Sequence, residues 1–578
     1  MSDVAQLREL SIRRRIRIPM RDGLCLNAHL CEPAQYTDST ACVVSLTPYG
    51  ADHLHDRGAI FVHHGLRFLV VDVCGRADSE GIFVPHARDA HDGYDVVEWV
   101  ARQPFCNGRV GMYGGSYLGS AQWAAASLHP PHLKSIAPTA APYLGVDTPM
   151  RGNIFSSYEV RWLTLVSGRT TQSKRFADEA LWSQVFRVWF ESGRSFRELD
   201  RIVGEPSGTF QNYLDHPEQG AYWDALNPSA EAYERIDMPI LTLTGIYDGD
   251  QLGALEHYRQ HMRHASAAAR AKHYLVIGPW NHAGCTLPKA DFDGIRIAPA
   301  GVLDLYQFHA QWCAWTLAEG TKPEFLKDAV AYYCMGADMW RYAPSLDAVT
   351  ARVEPLYLHS TENPTDVFHS GELRREPPQE SSSDCYFYDP RDTRTAELES
   401  TLDHALLTEQ RRVNLSAGRH LVYHSAPFES DTEISGFFRL TAHLSIDRSD
   451  TDFRVSVYEI DTQGNSILLT MDQMRARYRK SLRHAELIDT QDPLCYEFNR
   501  FTFVSRFIRR SHRLRLVIGP INSIHEQRNF NGGGDVADEC MSEAKAVTVE
   551  LFHDTDYASV LFVPIGQGSQ SCAQEVQA

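Results

Sequence analysis

From residue 41 onward, short apolar runs with strand character alternate with stretches that carry apolar residues at helical spacing. The runs 41–46, 66–73, 109–113 and 134–137 read as strands, and 87–101 and 117–128 as helices. This alternation restricts the chain to a mostly parallel sheet with helices on both faces. Ahead of it, 13–33 holds two alternating runs joined by Arg21-Asp22-Gly23. Asp-Gly between such runs is a hairpin signal, so an antiparallel edge begins the sheet.

Strand signals stop between about 143 and 235, where Phe176, Leu181, Val185, Trp189 and Phe190 recur at helical spacing. They resume at 239–244, followed by a helix over 251–262, a strand over 273–277 and a long helix over 302–318. One α/β unit interrupted by a helical cap is the reading. After about 329 come short strands at 385–388, 419–424, 436–446, 453–459, 466–470, 513–518 and 546–552, with turns such as Thr462-Gln463-Gly464-Asn465. That texture predicts a β-sandwich or jelly roll. The 578 residues, at roughly 150 per domain, accommodate the division. It runs 1–142 for the first part of the α/β domain, 143–236 for the cap, 237–328 for the second part and 329–578 for the β-domain. Glu380-Ser381-Ser382-Ser383 and the last dozen residues read as flexible.

The net charge of −18 repels a duplex or polyphosphate at long range, so nucleic acid is excluded as a partner class. No apolar run reaches the length needed to span a bilayer, and the N-terminal MSDVAQLRELSIRRRI has no apolar stretch behind its basic residues. A soluble cytoplasmic protein without membrane attachment is expected. The twelve cysteines include no Cys-x-x-Cys pair and read as buried thiols. Cys285 follows His282 by three residues, yet no further ligand pair completes a metal site.

In Arg109-Val110-Gly111-Met112-Tyr113-Gly114-Gly115-Ser116-Tyr117-Leu118-Gly119 a strand turns abruptly into a helix with Ser116 at the corner. Gly114 and Gly119 are the small neighbours such a corner requires, and Ser116 Oγ would point out of the sheet. The amide of Tyr117, at the helix start, could hold a developing oxyanion. Taken alone, the serine could equally be a helix cap. A nucleophilic serine requires a base, usually a histidine oriented by a carboxylate. Asp248 follows the buried run 241–246 and His282 follows 275–279, in the chain order Ser, Asp, His at strand ends.

With these motifs the chain resembles the cocaine-esterase and X-prolyl dipeptidyl-peptidase family of α/β-hydrolases. The resemblance covers nearly the whole chain and includes Gly-x-Ser-Tyr-x-Gly at 114–119, Tyr-Asp-Gly at 247–249 and Gly-Pro-Trp-x-His at 278–282. Asp78-Ser79-Glu80-Gly81, His216-Pro217 with Tyr222-Trp223, Asp450-Thr451-Asp452-Phe453, Arg475 to Tyr478, and Asn529 with Asn531-Gly532 also fit. The resemblance implies an α/β-hydrolase fold with a helical cap insertion, followed by an all-β jelly-roll domain. It implies Ser116 as nucleophile, His282 as general base, Asp248 as its orienting partner and Tyr49 as an oxyanion donor beside the Tyr117 amide. Val73-Cys74-Gly75-Arg76 departs from the Arg-Gly of many relatives. Asp250 falls where relatives acting on α-amino esters carry a carboxylate, but it also sits where it could cap the helix that follows. Trp162 falls where relatives place an aromatic wall.

The implied activity is acyl-ester hydrolysis through an acyl-enzyme, with no metal or organic cofactor. Release of X-Pro dipeptides, deacylation of a β-lactam-like amide and hydrolysis of α-amino esters are the alternatives. A ligand-binding protein on a relic hydrolase is a reading of another class. The expected partners are a small ester or amide substrate and, at most, a second copy of the chain in a homodimer.

Overall fold

The computed structural model describes residues 9–35, 38–379, 382–401 and 407–568. Residues 380–381 of the serine run and the last ten residues, both within segments read above as flexible, lie outside the described residues.

Ten strands form the central sheet, in the order Leu10–Pro19, Cys25–Pro33, Arg67–Asp72, Thr40–Thr47, Cys106–Gly115, Leu133–Thr139, Ile240–Tyr247, His273–Asn281, Val330–Cys334 and Met339–Ala343. The first two form the expected hairpin, with Ile18 opposite Leu26. Cys25–Pro33 pairs antiparallel with Arg67–Asp72, and the pairs from there to Val330–Cys334 are parallel. Parallel strands covered on both faces carry continuous apolar runs, and all six residues of Arg67–Asp72 are buried. The helices Asp89–Ala101, Tyr117–Ser127, Gln251–His264 and Leu305–Leu317 match the sequence expectation to within a few residues.

The first two strands beyond the boundary expected at 329 extend the hydrolase sheet. Val330–Cys334 pairs parallel with His273–Asn281, and Met339–Ala343 closes that edge antiparallel, so both belong to the hydrolase sheet. The β-domain proper starts with the strand Thr350–His359. An apolar run such as Val-Ala-Tyr-Tyr-Cys suits either domain, and only tertiary pairing assigns it.

The cap contains seven short helices from Tyr158–Leu165 to Ala230–Arg235. Trp182, Phe186, Trp189 and Phe190, on Glu179–Ser192, bury into a core that the cap shares with Ala396, Ile524 and Ala537 of the β-domain. In the β-domain, Arg439–Ile446 alternates buried and more exposed residues, as a strand with one face in a sandwich core should. Asp452–Ile460 and Ser466–Arg475 form the hairpin around Gly464.

Two seams fix the β-domain to the rest. The Ser157 amide donates to the His525 carbonyl (2.9 Å) and the Gln527 amide to the Phe155 carbonyl (2.8 Å). Buried Gln251 accepts from the Phe503 amide (2.6 Å) and donates to the Gly245 and Ile246 carbonyls (both 3.0 Å). The motif residues Asp450, Asp452, Arg475, Arg477 and Asn529 form a buried network rather than a site. Arg475 pairs with both oxygens of Asp452 (2.8 and 3.0 Å) and donates to the Asn153 carbonyl of the cap (3.2 Å). Asn529 donates to Asp450 and Asp452 (both 2.9 Å), and Arg477 to Asp450 (2.9 Å). Among the described residues no helix is long and apolar enough to cross a membrane.

Candidate active site

Ser116 stands between the strand Cys106–Gly115 and the helix Tyr117–Ser127, at φ +59° and ψ −127°. Side-chain-bearing residues rarely adopt that conformation, which costs about 1–3 kcal/mol unless the surroundings impose it. Here the Ser116 amide donates to the Thr139 carbonyl (2.9 Å), and its carbonyl accepts from the amides of Gly119 (2.7 Å) and Ser120 (3.1 Å). A Cβ at Gly119 would stand 2.8 Å from that of Ala141, and one at Gly114 2.5 Å from that of Leu118. The two glycines therefore permit the tight crossing that aims Ser116 outward.

The strands preceding Asp248 and His282 are parallel neighbours, with Asn281 opposite Tyr247, so their ends lie side by side. His282 Nδ1 is 2.7 Å from Asp248 Oδ1. Asp248 also accepts from Thr244 Oγ1 (2.7 Å) and the Asp250 amide (3.0 Å). Burial opposes ionisation of Asp248, but His282 and these donors hold its carboxyl below the usual carboxylate range. Ser116 and His282 both line two cavities, of about 370 and about 260 Å³.

Tyr49 follows the strand Thr40–Thr47, and its phenol oxygen accepts from Trp162 Nε1 (3.1 Å) and interacts with the Ser116 side chain. Burial pushes the phenol up to about 12, so it stays protonated and can donate to an oxyanion. The departure at Val73-Cys74-Gly75-Arg76 supports this loop. Arg76 is fully buried and donates to the Pro48 carbonyl (2.7 Å) and to the Val166 carbonyl of the cap (2.6 Å).

Tyr117 contributes the first amide of its helix, where N–H groups have no intrahelical acceptor. Its phenol donates to Asp89 Oδ1 (2.9 Å), and its ring stacks on His86, with centroids 4.3 Å apart. Trp162, on the cap helix Tyr158–Leu165, lies nearly parallel to both rings, at 6.1 Å from Tyr117 and 6.3 Å from His86. His86, Tyr117 and Trp162 all line the larger cavity.

Asp250 precedes the helix Gln251–His264 but makes no side-chain cap bond. Its carboxylate instead faces the cavity, accepting from Thr148 Oγ1 (3.2 Å) and lying 3.6 Å from His282 Nδ1. The same cavity is lined by Asp147 and Glu159, which sequence reasoning missed. Glu159 stands one helical turn from Trp162, a detectable pairing, whereas Asp147 lies in a loop with no local signal. Burial pushes Asp250 up to about 6 and, with the Asp250 charge, Glu159 up to about 8. Asp147 rises well above the carboxylate range for the same reasons. Burial disfavours the His282 imidazolium, but Asp250, Asp248 and Asp147 outweigh it and raise His282 to about 9. The His282 side chain is 40% exposed, so water can reach it.

The chain matches the model of the X-Pro dipeptidyl-peptidase (S15 family) over residues 22–284 and that of the X-Pro dipeptidyl-peptidase C-terminal non-catalytic domain over 322–518. It is 25% identical to a cocaine esterase of Rhodococcus sp. (strain MB1 Bresler), over 96% of this chain and 98% of the relative. A solved α-amino acid ester hydrolase shares its fold at TM-score 0.82 and 20% identity, covering 98% of each chain. An aminopeptidase from a marine sediment archaeon, Thaumarchaeota archaeon, does so at TM-score 0.79 and 18% identity, again over 98% of each. With two family models matched in the expected order, and a serine, a histidine and an aspartate gathered at the strand ends, the chain belongs to the X-Pro dipeptidyl-peptidase family of serine hydrolases.

Proposed function

We propose that the protein hydrolyses carboxylic esters whose acyl part carries an amine close to the scissile carbonyl. The observation that carries this reading is the convergence of Asp147, Glu159 and Asp250 on the cavity that contains Ser116. Three carboxyls around one small cavity favour a cationic guest, because an entering ammonium offsets the cost of ionising them. The aromatic wall of His86, Tyr117 and Trp162 adds flat apolar surface for the remainder of the acyl group.

In the reaction, His282 takes the Ser116 proton as Oγ attacks the ester carbonyl, and Asp248 stabilises the imidazolium that forms. The Tyr49 phenol and the Tyr117 amide hold the oxyanion. The imidazolium then protonates the leaving alcohol, and water activated by His282 releases the acid. The eleven described cysteines, all free thiols, support a cytoplasmic location for the protein.

The test compares phenylglycine methyl ester with phenylacetic acid methyl ester, which lacks only the amine. A kcat/KM ratio of at least ten in favour of the amine is expected, falling toward one in Glu159→Gln. Equal turnover of both esters would overturn the amine preference, and faster turnover of an X-Pro anilide than of either ester would favour the peptidase reading.

A further inference from the structure

A second chemistry-bearing cluster lies on the other side of the Tyr49 loop. His29, on the strand Cys25–Pro33, faces Asp52 and His55, which stand one helical turn apart at the junction of the short helices Ala51–Leu54 and His55–His63. His29 Nδ1 and His55 Nε2 are 2.9 Å apart, and Asp52 Oδ1 lies 3.6 Å from His29 Nδ1 and 3.6 Å from His55 Nδ1. One donor atom from each residue lies within 4.8 Å of the other two.

Two imidazoles and a carboxylate are the donors that zinc and its neighbours in the first transition series take up. Metal–nitrogen distances of about 2.0–2.1 Å in a tetrahedron place ligand atoms roughly 3.3 Å apart; His55 faces His29 through Nε2 and Asp52 through Nδ1, so its ring must turn to present one nitrogen to a shared ion. We propose that His29, Asp52 and His55 form a divalent transition-metal site, selective for ions of the zinc and cobalt type over magnesium and calcium, with water completing the coordination.

Two features support it. The histidine side chains are 8% and 15% exposed while Asp52 is 68% exposed, so the cluster has fixed ligands at its base and an open mouth. The other charged neighbours are Arg14, whose guanidinium reaches 3.8 Å from Asp52 Oδ1, and the carboxylates Asp56 and Asp78. Arg14 is 62% exposed and can swing into water when an ion takes its place on Asp52.

The site differs from the catalytic one in its residues and its chemistry. An ion there would pin the strand Cys25–Pro33 to the helical turn two residues beyond Tyr49, a turn already anchored by the Ala51 amide on Asp72 Oδ1 (2.7 Å). Its effect on the enzyme is therefore a stiffer seat for the oxyanion donor, and its primary readouts are binding and stability.

The experiment uses the full chain after chelator treatment and dialysis. Zinc chloride is titrated calorimetrically, cobalt chloride is followed by its visible absorption, and Tm is recorded with zinc, cobalt, magnesium and no metal. One tight zinc per chain is expected, with a visible band for cobalt and a rise in Tm for zinc and cobalt but not magnesium. His29→Gln and His55→Gln should each weaken zinc binding at least 100-fold. Asp52→Asn, at an exposed position that does not threaten folding, should weaken it at least tenfold. Zinc binding of unchanged stoichiometry and affinity in Asp52→Asn and in both histidine variants would overturn the proposal, as would no calorimetric binding and no Tm change in the parent chain.

Discussion

Trp162, on the cap, donates its indole N–H to the phenol oxygen of Tyr49, 3.1 Å away on the hydrolase domain. Tyr49 in turn interacts with the Ser116 side chain, so the cap reaches the reacting centre through one side chain. Accepting from an indole leaves the Tyr49 O–H available to donate when an oxyanion forms.

Replacing Tyr49 with Phe removes that donor while keeping the ring. A fall in kcat of about 10²–10³-fold with little change in KM is expected, since the interaction is made mainly in the transition state. Trp162→Phe removes one hydrogen bond of about 1 kcal/mol and should cost about fivefold. Steady-state kinetics with p-nitrophenyl butyrate separates the two, and a Tyr49→Phe enzyme with parental kcat would remove Tyr49 from the oxyanion site.

Ser116→Ala should abolish labelling by a fluorophosphonate probe and reduce turnover of the same ester by as much as about 10⁶-fold. Its melting temperature should stay near that of the parent. Retained labelling at another serine would show that the nucleophile lies elsewhere.

The pH profile follows from the carboxylates around His282. A general base must be neutral, and a histidine raised to about 9 becomes so only as pH rises through that value. For a neutral ester, kcat/KM should therefore climb through about pH 9 rather than level off near 7. Asp250 is the foremost of the charges that raise His282, so Asp250→Asn should move the limb to lower pH. A limb unmoved by this substitution would show that the Asp250 charge does not act on the imidazole.

Gly119→Ala places a Cβ 2.8 Å from Ala141 Cβ and 2.9 Å from the Thr139 carbonyl. Neither neighbour can move without shifting the backbone that positions Ser116. A stability loss of about 1–3 kcal/mol by urea unfolding, with a drop in kcat, is expected. Unchanged stability and rate would show that the helix and strand are not as closely crossed as described.

The Arg475 and Asp452 side chains are 2% and 3% exposed. Arg475→Met leaves a buried carboxylate without its principal partner and should cost about 3–5 kcal/mol, whereas Arg475→Met combined with Asp452→Leu should recover much of that loss. Equilibrium unfolding of the three variants measures the difference, and equal stability of the single and double variants would contradict the network described.

Local patterns were enough to read several features from the sequence. The strand and helix alternation, the corner at Ser116, and Asp248 and His282 each behind a buried run depend on neighbours a few residues apart. Gly114 and Gly119 were legible for the same reason, because a tight strand-to-helix turn leaves no room for side chains at those two offsets. The wall residue Trp162 and the phenol of Tyr49 were reached through motif resemblance, since nothing in their immediate surroundings distinguishes a pocket aromatic from a core one.

What tertiary structure alone decided concerns groups distant in the chain. Val330–Cys334 joins the hydrolase sheet because an open parallel edge lies beside it, a fact its own composition does not carry. Asp250 occupies a helix-capping position yet turns its carboxylate to the cavity, because Thr148 and His282 lie within reach of it there. Asp147 and Glu159 come from a loop and a cap helix that the fold carries to Ser116. Carboxyl groups interact over several ångströms through space, so their acidity and their appetite for a cation arise only once the chain has brought them together.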